Sequence, residues 1–188
     1  MLTLRRSAVG VLAVLLMSGV AWAQIVADIA AHRVQANAGN AYSQWLLGYY
    51  YRTGRGVPQD DAQAMAWYRK AADQGYAAAQ FNLGNAYDTG QGVPQDYAEA
   101  LRWYRLAANQ GHVVGLNNLG VMYSHGRGVP QDYVEAHKWA NLAASRATGD
   151  DRENFTEFRD DLVKLMTPTQ LADAQRLARE WVEAFDAR

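Results

Sequence analysis

Val57-Pro58-Gln59-Asp60 occurs three times in this chain of 188 residues, and its second and third copies begin at Val93 and Val129. The copies are therefore spaced 36 residues apart. Other columns repeat in the same register, namely Gly39, Gly75 and Gly111; Gly48, Gly84 and Gly120; Tyr51, Tyr87 and Tyr123; and Trp67, Trp103 and Trp139. A fixed period of this length indicates a solenoid, in which each unit is one supersecondary element stacked on the next.

Each unit predicts two helices separated by a turn. In unit two, Leu83 and Tyr87 lie along one face of a first helix. The glycines and proline of residues 90–94 end that helix, because glycine accepts left-handed backbone angles and proline cannot continue a helix. Asp96 and Glu99 have the spacing of a capping box, which predicts the start of a second helix. The same spacing recurs at Asp60 with Gln63 and at Asp132 with Glu135.

Two repeated columns predict how the helices of a unit pack. Glycine inside a helix costs about 1 kcal/mol relative to alanine, so a glycine at one position in all three units indicates a close approach of the partner helix. We expect Gly48, Gly84 and Gly120 to permit that approach. We expect the tryptophan column to fill the space beside these glycines as core residues.

These features predict an all-α fold, a right-handed α–α superhelix (solenoid) of about three 36-residue helix-pair repeats with helical caps at both ends. The predicted segments are a signal peptide (1–23), an N-terminal capping helix (24–38), three repeats (39–147) and C-terminal capping helices (148–188). Thr167, Pro168 and Gln170 predict the start of the last helix, with threonine as the cap and proline at the first helical position.

The first 23 residues have the order of a Sec-type signal peptide. Arg5 and Arg6 precede an apolar run from Val9 to Met17, and Ala21-Trp22-Ala23 supplies the small residues of a cleavage site. We expect cleavage after Ala23 and a periplasmic or secreted protein. The alternative is a transmembrane anchor, which the short apolar run disfavours.

Unit two carries the pattern Ala-x-x-x-Leu-Gly-x-x-Tyr-x-x-Gly-x-Gly-Val-Pro-x-Asp from Ala79 to Asp96, followed by Trp103 and Ala107-Ala108. This pattern resembles the Sel-one-like repeat family, which is related to tetratricopeptide repeats. The resemblance implies an adaptor that binds other proteins rather than an enzyme. Some disulfide-rich secreted relatives are linked with β-lactam binding or hydrolysis, but this chain contains no cysteine.

The resemblance also implies where a partner binds, because tetratricopeptide relatives present the first helix of each pair along a concave groove. The predicted groove residues are Tyr42, Trp45, Tyr49 and Arg52 in unit one, Phe81, Asn85 and Asp88 in unit two, and Asn117, Val121, Ser124 and His125 in unit three. The alternative is that Trp45 and Tyr49 pack against the N-terminal capping helix and complete the core. A cell-wall glycan or a second copy of the chain are the alternative ligands of such aromatic side chains.

No pattern in the sequence predicts catalysis, a cofactor or a metal. The chain lacks the Ser-x-x-Lys, Gly-x-Ser-x-Gly and His-Glu-x-x-His motifs and the phosphate-binding glycine loop. A zinc site built from His112 and His125 stays open as an alternative. Without Arg5 and Arg6, 16 basic residues face 19 acidic ones, which disfavours a nucleic-acid partner. We therefore predict a protein or peptide partner and no stable membrane anchor after signal removal.

Overall fold

The computed structural model describes residues 19–188, with side chains from residue 24 onward, so most of the predicted signal peptide lies outside the described residues. Every regular element of this described part is an α-helix. The helices are α1 (Gly19–Asn37), α2 (Ala41–Thr53), α3 (Asp61–Asp73), α4 (Ala77–Thr89), α5 (Tyr97–Asn109), α6 (Val113–His125), α7 (Tyr133–Arg146), α8 (Gly149–Val163) and α9 (Pro168–Asp186). None of them is long and apolar enough to cross a membrane.

The helices stack in chain order, which confirms the predicted solenoid. Within the units, α2 packs against α3, α4 against α5 and α6 against α7. The units are joined by contacts of α3 with α4 and of α5 with α6. At the ends, α1 packs against α2, and both α8 and α9 pack against α7.

The turn between the two helices of a unit is closed by backbone hydrogen bonds. Gly90 ends α4 with a left-handed backbone (φ 75°). The Asp96 N–H then donates to the Tyr87 carbonyl at 2.9 Å. The aspartate side chain accepts from the N–H groups of Ala98 and Glu99, as an N-cap does.

The reciprocal half of the predicted capping box is wrong. The Asp96 N–H is already bonded within the turn, so the Glu99 carboxylate accepts instead from Trp103 Nε1 (3.1 Å) and from Arg102. Unit three repeats this arrangement, because Glu135 accepts from Trp139 Nε1 at 2.9 Å. The glutamates therefore anchor the buried tryptophans rather than the backbone.

The glycine column does permit close helix approach, as predicted, but its partner is a tyrosine and not a tryptophan. A Cβ atom at Gly48 would lie 2.5 Å from Cδ1 of Tyr68, and one at Gly84 would lie 2.5 Å from Cδ1 of Tyr104. Both tyrosines are fully buried. In unit three the backbones themselves come close, because a Cβ atom at Gly120 would lie 3.0 Å from the Ala136 carbonyl oxygen.

Neighbouring units are joined by a repeated hydrogen bond between an arginine and a tyrosine. Arg69 donates to the Tyr87 hydroxyl at 2.6 Å, and the equivalent Arg105 donates to Tyr123 at 2.7 Å. Arg33 of α1 donates to Tyr51 at 3.0 Å in the same register. Helix α1 therefore occupies the position of a second helix that precedes unit one.

The last helix begins with the predicted capping box. Thr167 Oγ1 accepts from the Gln170 N–H, and the Gln170 side chain accepts from the Thr167 N–H. Helix α9 then runs along α7, where Trp181 meets Trp139 edge to face with ring centroids 6.1 Å apart. Just beyond the end of α9, Arg188 donates to the Asn109 carbonyl at 3.0 Å, so this end of the chain reaches back to the end of α5.

Candidate binding groove

The predicted groove residues form one row on each of α2, α4 and α6. Their spacing of three and four residues places each row on a single helix face. The first two rows meet, since Arg52 of α2 lines one small cavity together with Phe81 and Asn85 of α4. We refer to the surface along these three rows as the groove.

The aromatic residues of unit one form a connected group with a tyrosine of unit two. Trp45 lies 5.8 Å from Tyr42, 6.4 Å from Tyr49 and 5.8 Å from Tyr76 between ring centroids. We call these four residues the aromatic cluster. Tyr42 is 48% exposed although its ring contacts two others of the cluster, so the cluster presents an aromatic face to solvent.

Trp45 faces unit two rather than the N-terminal helix. Its side chain packs against the buried residues between units one and two, which include Ala79 and Leu83. The core partner of α1 is instead Leu47, which is buried with Ile29 and Ala36. From α1, His32 meets the cluster at Tyr42, with ring centroids 6.0 Å apart.

A polar cavity lies next to the aromatic cluster, because Arg52, which lines the cavity, sits 5.8 Å from the centre of the Tyr49 ring. Arg52, Asp61, Asn85 and Gln91 line a cavity of about 70 Å³ together with apolar groups of α3 and α4. Arg52 Nε and Asp61 Oδ1 are shielded from solvent and have no hydrogen-bond partner within the described residues. Burial raises the pKa of the neighbouring Tyr68 hydroxyl, while Arg52 opposes that rise.

The equivalent region between units two and three contains an ion pair. Asp88 lies 3.7 Å from Arg127, whose guanidinium sits 5.7 Å from the centre of the Tyr97 ring. Burial raises the pKa of the Tyr104 hydroxyl, and the Asp88 carboxylate raises it further. The second junction thus has the same buried tyrosine as the first but a different polar partner.

The unit-three row is less available than predicted. Ser124 is buried, and its hydroxyl donates to the Val121 carbonyl at 2.9 Å, so it is satisfied within its own helix. His125 is exposed at the end of α6, with Nδ1 3.0 Å from that same carbonyl. Asn117 is half-buried, and its Oδ1 has no hydrogen-bond partner among the residues that the structure describes.

His112 is a groove residue that the sequence did not predict. It is the N-cap of α6, where its Nδ1 accepts from the Gly115 N–H at 3.1 Å, and its ring stacks on Phe81 with centroids 4.7 Å apart. Burial lowers the pKa of His112. His112 and His125 stand at opposite ends of α6, about 20 Å apart at 1.5 Å per residue, so the zinc site considered for this pair is wrong.

A family model described as Sel1 repeat matches residues 41–76, 77–112 and 113–147. The chain belongs to the Sel1 repeat family. Sel1 repeat proteins are generally protein-binding scaffolds, and they are typically non-catalytic.

Two solved structures are similar over most of this chain. One is a protective antigen of uropathogenic Escherichia coli with an SLR fold, at 32% identity and a TM-score of 0.60 over 84% of this chain. The match spans only 41% of that antigen. The other is a Sel1 repeat protein from Oxalobacter formigenes, at 33% identity and a TM-score of 0.62, covering 69% of this chain and 98% of that one. The comparison with curated proteins gave no match.

Within Sel1 units one and two, the two helices of the unit are also joined by a glutamine pair, which the sequence analysis missed. Gln74 donates to Gln44 at 2.6 Å, and Gln110 donates to Gln80 at 2.7 Å. The two glutamines of each pair are 30 residues apart, so an alignment of the units at a spacing of 36 residues does not place them side by side. The signal that could have revealed these pairs is that both glutamines recur at matching positions in units one and two.

Proposed function

We propose that this chain is an exported scaffold that holds an extended peptide segment of a partner protein in the groove. The observation that carries the proposal is the aromatic cluster with its exposed Tyr42. Tyrosine and tryptophan rings at a surface are typical interface anchors, because they bury large apolar area and keep a polar tip. Family membership supports a binding role and no catalytic one.

The sequence repeat supports placing the binding energy in unit one. Tyr42 corresponds to Ala78 and Val114 in the other units, and Tyr49 corresponds to Asn85 and Val121. Residues that hold the stack recur in every unit, whereas these positions do not. Their differences are expected of positions that contact a partner.

Export is proposed from the first 23 residues alone. The test is to express the full gene and determine the N-terminal residue of the protein in the periplasmic and culture-medium fractions. We expect a mature chain that begins at Gln24. A chain that retains Arg5 and Arg6 in the membrane fraction would replace this proposal with an anchored protein.

The groove is tested by affinity capture with a matched pair of variants. Tyr42→Ala/Tyr49→Ala removes the two outer rings of the cluster, and Leu106→Ala/Leu165→Ala removes two exposed leucines elsewhere. We expect both variants to melt like the parent protein, and only the tyrosine variant to lose its captured proteins.

Captured proteins are then located by photo-crosslinking. A benzophenone amino acid at Val121 in the groove should crosslink one short segment of the captured partner, and the same group at Leu106 should not. If both tyrosine and leucine variants capture the same proteins, the groove is not the binding surface. If cell-wall glycan is retained in place of protein, the scaffold is a glycan-binding module instead.

A further inference from the structure

The junction between units one and two contains a polar cavity for which the fold alone gives no reason. The cavity of about 70 Å³ lies at the side of the groove, between the end of α2, the start of α3 and the middle of α4. It is several times larger than the minimum volume that holds one water molecule. It is also about half the size of a cavity that accepts a benzene ring. A small polar group therefore fits it, and an aromatic ring does not.

Two charged side chains contribute unpartnered atoms to this cavity. Arg52 offers the Nε–H donor, and Asp61 offers the acceptor Oδ1. Their charged groups do not approach within ion-pair distance of each other. Buried donors and acceptors are normally satisfied by protein groups, ordered water or a ligand, so two unsatisfied atoms around one cavity mark a place where a polar ligand group can take the place of water.

The second junction shows that the scaffold does not require this arrangement. At the positions of Arg52 and Asp61, the next unit has Asp88 and Tyr97. Arg127, which replaces Gln91 there, lies 3.7 Å from Asp88 and over the Tyr97 ring. At the second junction an arginine therefore faces the aspartate, although Asp88 Oδ1 also has no hydrogen-bond partner within the described residues, whereas no ion pair joins Arg52 and Asp61 at the first.

We propose that this cavity binds a primary amide side chain, asparagine or glutamine, of the peptide that occupies the groove. An amide oxygen accepts from Arg52 Nε, and an amide N–H donates to Asp61 Oδ1, so one neutral group satisfies both atoms. A carboxylate in the same place is repelled by Asp61, and an ammonium group is repelled by Arg52. The subsite rests on the proposed peptide-binding function of the groove.

The experiment is selection from a random heptapeptide phage library, with the parent protein and two variants as bait. The parent should enrich asparagine or glutamine at one fixed position relative to an aromatic residue. Asp61→Asn removes the negative charge with little change of shape, and selection should then shift to aspartate or glutamate at that position. Arg52→Gln should shift it to lysine or arginine. Asp73→Asn, at the exposed end of α3, is the matched control and should select the same peptides as the parent.

A selected peptide is then synthesised with glutamine, glutamate or leucine at that position, and its affinity is measured by fluorescence anisotropy. We expect the parent protein to bind the glutamine peptide about ten-fold more tightly than the other two, and Asp61→Asn to prefer the glutamate peptide. Peptides that need Tyr42 but show no amide preference, or the same preference with Asp61→Asn, overturn the subsite and leave the groove standing. Failure to select any peptide that depends on Tyr42 overturns the groove and the subsite together.

Discussion

The glycine column makes a quantitative prediction about how closely the two helices of a unit can pack. In Gly84→Ala, the new methyl group would lie 2.5 Å from Cδ1 and 2.7 Å from Cε1 of Tyr104. Carbon atoms in good contact are about 3.5–4.0 Å apart, so the ring or the helix must move by about 1 Å. Tyr104 is fully buried, so a shift of its ring must displace the groups packed around it.

Two opposing terms set the size of the effect. Alanine is favoured over glycine in a helix interior by about 1 kcal/mol. Overpacking a filled core costs about 1–3 kcal/mol, and more when backbone must shift. With the clash at the upper end of that range, we expect Gly84→Ala to lower the free energy of unfolding by about 1–2 kcal/mol. For a chain of this length the melting temperature should fall by about 2–8 °C.

Gly115→Ala is the matched control, because it is the same substitution inside the next first helix. Its methyl group would lie 3.3 Å from the Ala107 Cβ, and alanine already occupies the equivalent position, Ala79, in unit two. We expect no loss of stability and a gain of up to about 1 kcal/mol. Urea unfolding and thermal melting followed by circular dichroism measure both variants. If Gly84→Ala is as stable as Gly115→Ala, the glycine column is not needed to accommodate the tyrosine ring.

Two further changes test the N-cap of α6 and the helices that cover the C-terminal end of the solenoid. Because burial holds the pKa of His112 below its ordinary value of 6.5, the folded protein resists protonation there. Stability should therefore fall as the pH drops below about 6.5. His112→Asn, which copies the Asn40 cap of unit one, should reduce that slope in urea titrations between pH 5 and 8 without abolishing it, because burial also lowers the pKa of His137. An unchanged slope would refute the assignment. Truncation after Ala147 removes the cover that α8 and α9 give to Trp139 and Leu142. It should broaden the melting transition and increase binding of a hydrophobic dye, and an unchanged cooperative melt would contradict the capping role of those helices.

The helix pairs were readable from the sequence because local rules determine them. Asp60, Asp96 and Asp132 cap helices through bonds to backbone groups two or three residues away, so spacing alone locates them. The partner of the glycine column was not readable in the same way. Trp103 and Tyr104 are adjacent on α5 and differ by about 100° around its axis. Which of them faces α4 depends on the rotation of the whole helix, which is fixed by contacts with both neighbouring units.

The sequence predicted which groove residues share a helix face, but not which neighbouring residues complete the surface. Tyr42, Trp45 and Tyr49 lie on one face because of their spacing, and no structure is needed to see it. The structure adds two residues to this surface. Tyr76 lies in a connection between units, and Asp61 lies at the start of a second helix. Their columns contain unlike residues, namely Asn40 and His112 with Tyr76, and Tyr97 and Tyr133 with Asp61. Comparison of units emphasises constant columns, so it passes over such residues even though variation is expected where a partner binds.

The bonds between units explain how the first helices can differ without changing the stack. The Arg69–Tyr87 and Arg105–Tyr123 bonds fix the distance between successive units. None of these four residues belongs to the predicted groove rows, so substitutions in the rows leave these two hydrogen bonds in place. These bonds hold successive units at a fixed spacing, so the scaffold would lose little conformational freedom on binding the proposed peptide. Affinity for the proposed peptide would then depend mainly on the peptide itself and on the first junction, where the aromatic cluster and the cavity beside Arg52 lie together.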